Sequence, residues 1–240
     1  MNLSDTVTRI KLKLGLINIA TPFEDLDSVI VQIIQTITVP VFSIYNPVRD
    51  RWRIHTYDLE LLEKTDNYEK YLLPEFSGRN LINVEDVQYD TSILAGLGYY
   101  GGGMPLMQGN LIDQALISNA GASLMNTLIP KLTFRYEHPR NLYIFNAYSH
   151  SKMVITLEFE HDKSLASIPE TAREEFLKLA MLDVKENLYP SLKQYSELNT
   201  AIGNINLKLD DWANAEQERK ELIDKYDDTY HLDLRPIYWA

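Results

Sequence analysis

The sequence predicts an α+β fold: a helical body built from the N- and C-terminal helices, a central antiparallel strand region and a long glycine-rich loop. Three observations predict it. Apolar residues recur at helical spacing within about 4–40 and again within 169–226. Strand-like segments are grouped between about 81 and 160 instead of alternating with helices, which separates α+β from a doubly wound parallel sheet. Six of the ten glycines fall in the fourteen residues 96–109.

Taken in order, Ser4 or Asp5 caps a first helix through Val7, Ile10 and Leu14, ending at Gly15. Asp25 or Asp27 opens a second, whose apolar face is Leu26, Val29, Ile30, Ile33, Ile34 and Ile37, with Pro40 as its limit. Residues 41–45 then read as an extended exit and Asn46-Pro47 as a turn. Residues 59–64 predict a short helix, and Tyr71-Leu-Leu-Pro74 leads into a strand over 81–89. After the glycine loop a helix is expected over 111–128, weakened by Gly121. Strands follow at 133–136, 142–148 and 153–159, the first two joined by the turn His138-Pro139-Arg140-Asn141. Pro169 takes the favoured first position of a long helix striped by Phe176, Leu177, Ala180, Met181, Val184, Leu188 and Leu192, which Pro190 should kink or break. An extended connector at 203–209 precedes a last helix, capped by Asp210 or Asp211 and running to Tyr226. The expected organisation is one domain over 1–228 and a C-terminal interaction tail over 229–240.

Composition narrows the function. With 240 residues, 45% of them hydrophobic, the chain can bury a core without staples. No cysteine means no disulfide, thiolate nucleophile, zinc knuckle or iron–sulfur cluster. Twenty-three basic against 34 acidic residues give a net charge of −11, which disfavours a protein that coats nucleic acid or an anionic membrane. The opening MNLSDTVTRI lacks an apolar core for a signal peptide. The most apolar stretch, 26–45, is interrupted by Asp27, Gln32, Gln35 and Pro40, which argues against a membrane helix.

Catalytic patterns are weak. Gly96-Leu-Gly98-Tyr-Tyr-Gly101 spells a dinucleotide fingerprint, but further glycines and Met104-Pro105 follow, where the phosphate-binding helix would have to start. No two of the histidines 55, 138, 150, 161 and 231 have helical metal spacing. No cofactor or metal is expected. His150 and His161 with Glu158 or Glu160 are the best acid–base set, read here as solvated polar groups on an exposed strand face. The apolar end Arg235-Pro236-Ile237-Tyr238-Trp239 and the loop residues Tyr99, Tyr100, Met104, Leu106 and Met107 instead suggest contact with partners.

The order of elements is the stronger clue. The N-terminal run has a helix ending in Leu14-Gly15, an acid-capped helix and the Tyr71-Leu-Leu-Pro74 entry to Ile82 and Val84. Asn141-Leu-Tyr-Ile144 is followed by a strand, Ile168-Pro169, the Phe176–Val184 helix, Gly203-Asn-Ile-Asn-Leu207 and an Ala215–Glu218–Leu222 helix. This pattern resembles the neck (head-completion) proteins of contractile-tailed bacteriophages across most of the chain. The resemblance implies a non-enzymatic virion protein, assembled in the host cytoplasm as a homo-oligomeric, twelve-fold ring beneath the portal protein. Such a ring contacts other neck and tail proteins, lets DNA pass without specific binding and does not engage a membrane. Its C-terminal tail engages the portal. Another virion component, such as a baseplate protein, is the nearest alternative. A hydrolase using His150 and His161, and a tyrosine-rich peptide- or glycan-binding module, are alternatives of other classes.

Overall fold

The computed structural model describes residues 2–16, 23–90, 132–145, 152–194, 197–200, 203–206 and 209–230. The fold is α+β. The chain forms two compact units: residues 1–48, 78–80 and 159–240 in the first, and residues 49–77 and 81–158 in the second.

The first unit is helical. Helix α1 (Leu3–Lys13) begins one residue before the expected cap, because the Asn2 side chain accepts from the Ser4 amide at 3.2 Å. It ends as expected, with Gly15 at φ +67°, a conformation that glycine adopts without strain. Asp25 caps α2 (Leu26–Ile33) by accepting from the Asp27 and Ser28 amides. Lys11 of α1 reaches Asp27 of α2 at 2.6 Å.

The expected stop at Pro40 does not occur. Helix α2 runs into a π-helical turn (Ile34–Thr38) and then into α3 (Val39–Tyr45), so residues 41–45 are helical, not extended. The reason is local. The Val39 amide bonds back five residues to the Ile34 carbonyl, which inserts the wide turn. Pro40, which has no N–H to place, then stands in the first turn of α3, where no intrahelical donor is needed. By length and composition alone, the continuous helix from Leu26 to Tyr45 is apolar enough to cross a membrane. In the structure its Ile30, Ile33, Ile34, Val39 and Phe42 are buried in the core.

That core closes on α4 (Arg173–Gln194), reached from Pro169 through a 3₁₀ turn at Glu170–Ala172. Phe176, Leu177, Ala180, Val184, Leu188 and Leu192 are buried as expected, while Met181 is only partly so. Phe42 and Phe176 meet edge to face at 5.2 Å between centroids. Each such side chain contributes about 1.5–3 kcal/mol by leaving water. Pro190 neither breaks nor ends α4, which continues to Gln194. Tertiary burial of Leu188 and Leu192 on either side outweighs the missing hydrogen bond. Helix α5 (Ala215–Tyr230) follows a 3₁₀ turn at Asp210–Trp212 and extends beyond the expected Tyr226. Its buried stripe is Ala215, Leu222 and Tyr226. Between α4 and α5, the segments Glu197–Thr200 and Gly203–Asn206 form a two-stranded antiparallel hairpin, where only an extended connector was expected.

Strands are more numerous than the sequence suggested, and they begin before residue 81. Strand β1 (Val48–His55) lies beside β7 (Lys152–Phe159), which pairs on its other edge with β4 (Leu81–Tyr89). A second sheet has the order β2 (Glu60–Lys64), β3 (Tyr68–Leu72), β6 (Asn141–Phe145), β5 (Thr133–Glu137), all antiparallel. Residues 59–64 are therefore a strand leading out of a short 3₁₀ turn, not a helix. Glu60-Leu-Leu-Glu-Lys64 has helix-forming residues, but pairing with β3 decides. The strands at 81–89, 133–136 and 153–159 fall where expected, and β6 begins one residue early. The expected helix over 111–128 and the glycine loop lie outside the described residues.

Candidate assembly surface

Among the described residues of the second unit, the exposed apolar side chains gather at a hairpin edge. Every residue of β2 is exposed, and among the described strands it is the outer one of its sheet. Leu61 and Leu62 are 48% and 45% exposed, and Tyr57, just before the strand, is 65% exposed. Two adjacent leucines cannot both face one side of a regular strand. Here the pairing slips between Leu61 and Glu63, leaving Leu62 as the extra residue of a bulge. Behind this edge Lys64 reaches the buried Glu69 carboxylate at 2.5 Å, and the Tyr71 hydroxyl donates to the same side chain. Burial, then Glu69, raises the Tyr71 pKa. The hairpin is thus anchored on its inner side, and among the described residues its outer edge pairs with no strand.

In the first unit the corresponding feature is the end of α1, where Leu12 is 65% exposed. Arg9, three residues before Leu12 and on its face, is exposed, as is the adjacent Lys13.

The predicted acid–base set does not present itself as a solvated cluster. His161 is buried. Its Nε2 donates to the Asn46 carbonyl at 2.7 Å, which leaves Nδ1 to accept from the Ser167 hydroxyl at 3.0 Å. Its backbone amide donates to Ser43, and its ring lies 5.7 Å from that of Phe42. Burial lowers its pKa, so the neutral ring is the stable form. Glu158 is buried too, against the expectation of an exposed strand face. It sits on the central strand β7 and accepts from Arg49 of β1 at 3.3 Å and from Asn83 of β4 at 3.2 Å, bridging all three strands. Arg49 also reaches Glu85 at 3.0 Å. Glu160 accepts from Asn80 at 2.9 Å. Alternation along a strand identifies one face but does not reveal that both faces are covered. His150 lies outside the described residues, as do the loop residues Tyr99, Tyr100, Met104, Leu106 and Met107 and the tail residues Arg235, Pro236, Ile237, Tyr238 and Trp239. Among the described residues no cluster of histidines and carboxylates has the geometry to hold a metal ion.

Two further arrangements went unread in the sequence. Asp183 on α4 is wholly buried. It accepts from Thr38 of the π turn at 2.6 Å and from Arg219 of α5 at 2.5 Å. Arg219 also stands 3.4 Å from Glu186. Burial raises the Asp183 pKa, with Thr38 and Arg219 pulling it back. Several described tyrosines serve the fold. Tyr45 and Tyr226 pack at 5.4 Å, and burial together with Asp227 pushes the Tyr45 pKa up to about 12. Tyr68 and Tyr143 pack at 5.6 Å and donate to Glu63 and Glu137.

The exposed side of α5 is rich in acids. Glu216, Glu218, Glu221, Asp224, Asp227 and Asp228 are all exposed, as are Lys220 and Lys225 among them. Asp211 is exposed just before the helix.

These are the parts of a protein that packs and associates. A family model described as bacteriophage ring protein matches residues 1–235, nearly the whole chain. The chain belongs to that family. No curated protein matches it. Family membership makes it a structural component of a phage particle and points to assembly as an oligomeric ring. Buried ionic groups such as Asp183 hold the subunit's own elements together.

Proposed function

We propose that this ring protein is a neck adaptor, a twelve-fold ring between the portal protein and the tail that lines the channel through which DNA passes. The ring-family match over residues 1–235 supports the ring, and the neck-like order of elements across most of the chain supports its location. Helix α5 supports it. One face is sealed into the core by Ala215, Leu222 and Tyr226, leaving six exposed acids against two exposed lysines on the remainder. An acidic lumen gives phosphate nothing to grip and lets DNA slide. The C-terminal residues 235–239 engage the portal, and the loop residues Tyr99, Tyr100, Met104, Leu106 and Met107 engage neighbours. The role is non-enzymatic and needs no cofactor.

Locating the protein in the particle tests this. Electron microscopy of virions carrying a labelled copy should place a ring at the head–tail junction. A ring at the baseplate overturns the neck assignment and leaves the virion ring intact.

A further inference from the structure

We propose that the ring closes through a head-to-tail contact in which the Leu12 face of α1 on one copy seats against the Tyr57–Leu61–Leu62 edge on the next. The inference rests on the ring-forming reading above and names the surfaces that make the ring.

A closed ring of more than two copies repeats one heterologous contact, so each subunit must present two different, mutually complementary patches. Five large apolar side chains are strongly exposed among the described residues. Ile44 stands apart on α3. The other four divide into two patches: Leu12 on the first unit, and Tyr57, Leu61 and Leu62 on the second.

Their charged surroundings are opposite. Leu12 is set among Arg9, Lys11 and Lys13, three cations at the C-terminal end of a helix. Lys11 is held by Asp27, and Lys13 stands 3.7 Å from a Glu174 whose side chain is 74% exposed, a contact too open to neutralise it. Residues 57–66 carry Asp58, Glu60, Glu63 and Asp66 against the single Lys64, which is already occupied with Glu69. An apolar centre with a basic rim therefore meets an apolar centre with an acidic rim. Like patches would repel, so the charges favour head-to-tail over face-to-face pairing.

The bulge adds a second discrimination. A long flat edge invites strand-to-strand pairing with another edge, and a bulge blunts that route. Irregular pairing at Leu62 leaves the edge to be covered through its side chains, which suits a helix face better than a strand.

The absence of cysteine makes the test clean, since introduced thiols are the only ones present. Rings taken from assembled particles are treated with a short bis-maleimide in three variants: Leu12→Cys, Leu62→Cys and both together. The double variant should give a ladder of dimers, trimers and higher species in denaturing gels, and each single variant only monomers. Both positions are exposed, so the variants retain the fold, and circular dichroism checks it. Rings without a ladder overturn this contact while leaving the ring reading standing. Dimers from Leu62→Cys alone overturn it in favour of a symmetric edge pairing. Particles in which the protein forms no ring overturn both readings. As an independent arm, Leu61→Lys with Leu62→Lys should cut ring incorporation at least tenfold, and unchanged incorporation overturns the proposal.

Discussion

Replacing Arg219 by Met should expose how much the buried Asp183 depends on its partner. Asp183 has no solvent contact, and Arg219 supplies one of its two side-chain hydrogen bonds, at 2.5 Å, and its nearest positive charge. Methionine preserves most of the volume and removes the charge. A buried ion left without its partner costs about 3–5 kcal/mol, far more than the pair contributes over an apolar replacement. The loss should depend on pH in a fixed direction. Burial raises the Asp183 pKa in the folded chain. Between the ordinary carboxylate value and the raised one, the native state binds a proton that the unfolded chain releases, so this group's contribution to stability falls as pH rises through that window. Removing Arg219 extends the window upward. Glu186, also raised by burial and 3.4 Å from Arg219, shifts the same way. Urea unfolding of the variant should show about 3–5 kcal/mol lost at alkaline pH and progressively less as pH falls toward the ordinary carboxylate range. Adding Asp183→Asn, which keeps an acceptor for Thr38, should restore most of the loss. A deficit under about 1 kcal/mol, or one equal at every pH, would refute the account of Asp183 as an ion dependent on Arg219.

His161 should behave oppositely on acidification. Burial lowers its pKa, so it favours the fold above the ordinary histidine value and opposes it as pH falls below about 6.5. Its ring resonances, followed by NMR, should titrate below that value, and titration above it would contradict the buried neutral tautomer. Pro190→Ala should restore an amide to the middle of α4 and stabilise the fold by up to about 3 kcal/mol, measured as a rise in urea midpoint; a net loss would mean that the helix depends on its proline. Deleting residues 234–240 should weaken portal binding in a pull-down with the melting temperature unchanged, whereas equal loss of both would make the tail part of the core. Changing Glu216, Glu218, Glu221 and Asp224 to Lys should slow DNA ejection in a way that fades as salt rises. Ejection at the normal rate would place α5 away from the channel.

Helices and most core residues were legible because burial of one stripe leaves a period in the sequence. Val7 and Ile10, Ile30, Ile33 and Ile34, and Phe176 through Leu192 all show it. The misreadings share a different cause: local chemistry overruled from a distance. Pro40 looked like a stop because a proline reports only on its own missing amide, whereas the π turn that accommodates it forms upstream at Ile34–Thr38. Glu60-Leu-Leu-Glu-Lys64 looked helical because its propensities are helical, and only the partner strand β3 makes it extended. The adjacent leucines were the usable signal, since in any strand at least one must leave the core. Glu158 and Asp183 were illegible for a related reason. A carboxylate is expected at the surface, and what buries these two is an arginine 109 or 36 residues away in sequence.

The buried polar groups and the bare apolar ones answer to a single physical requirement. An apolar core tolerates small slips of one helix against another, since hydrophobic contact is non-directional. A ring does not, because any error in the angle between a subunit's two contact surfaces is repeated at every interface and prevents closure. Directional bonds remove that freedom inside each unit. Asp183 joins the π turn, α4 and α5 through Thr38 and Arg219. His161 ties the segment after β7 to α3 and its exit through Ser43 and Asn46. Glu158 locks three strands in register through Arg49 and Asn83. Each buried charge adds little stability over an apolar substitute, and its bonds are made only where Thr38 and Arg219, or Arg49 and Asn83, stand in place. Leu12, Leu61, Leu62 and Tyr57 are the reverse case, with area left in water where association can recover it. Directional bonds inside each unit thus carry specificity, and the apolar area left outside carries adhesion.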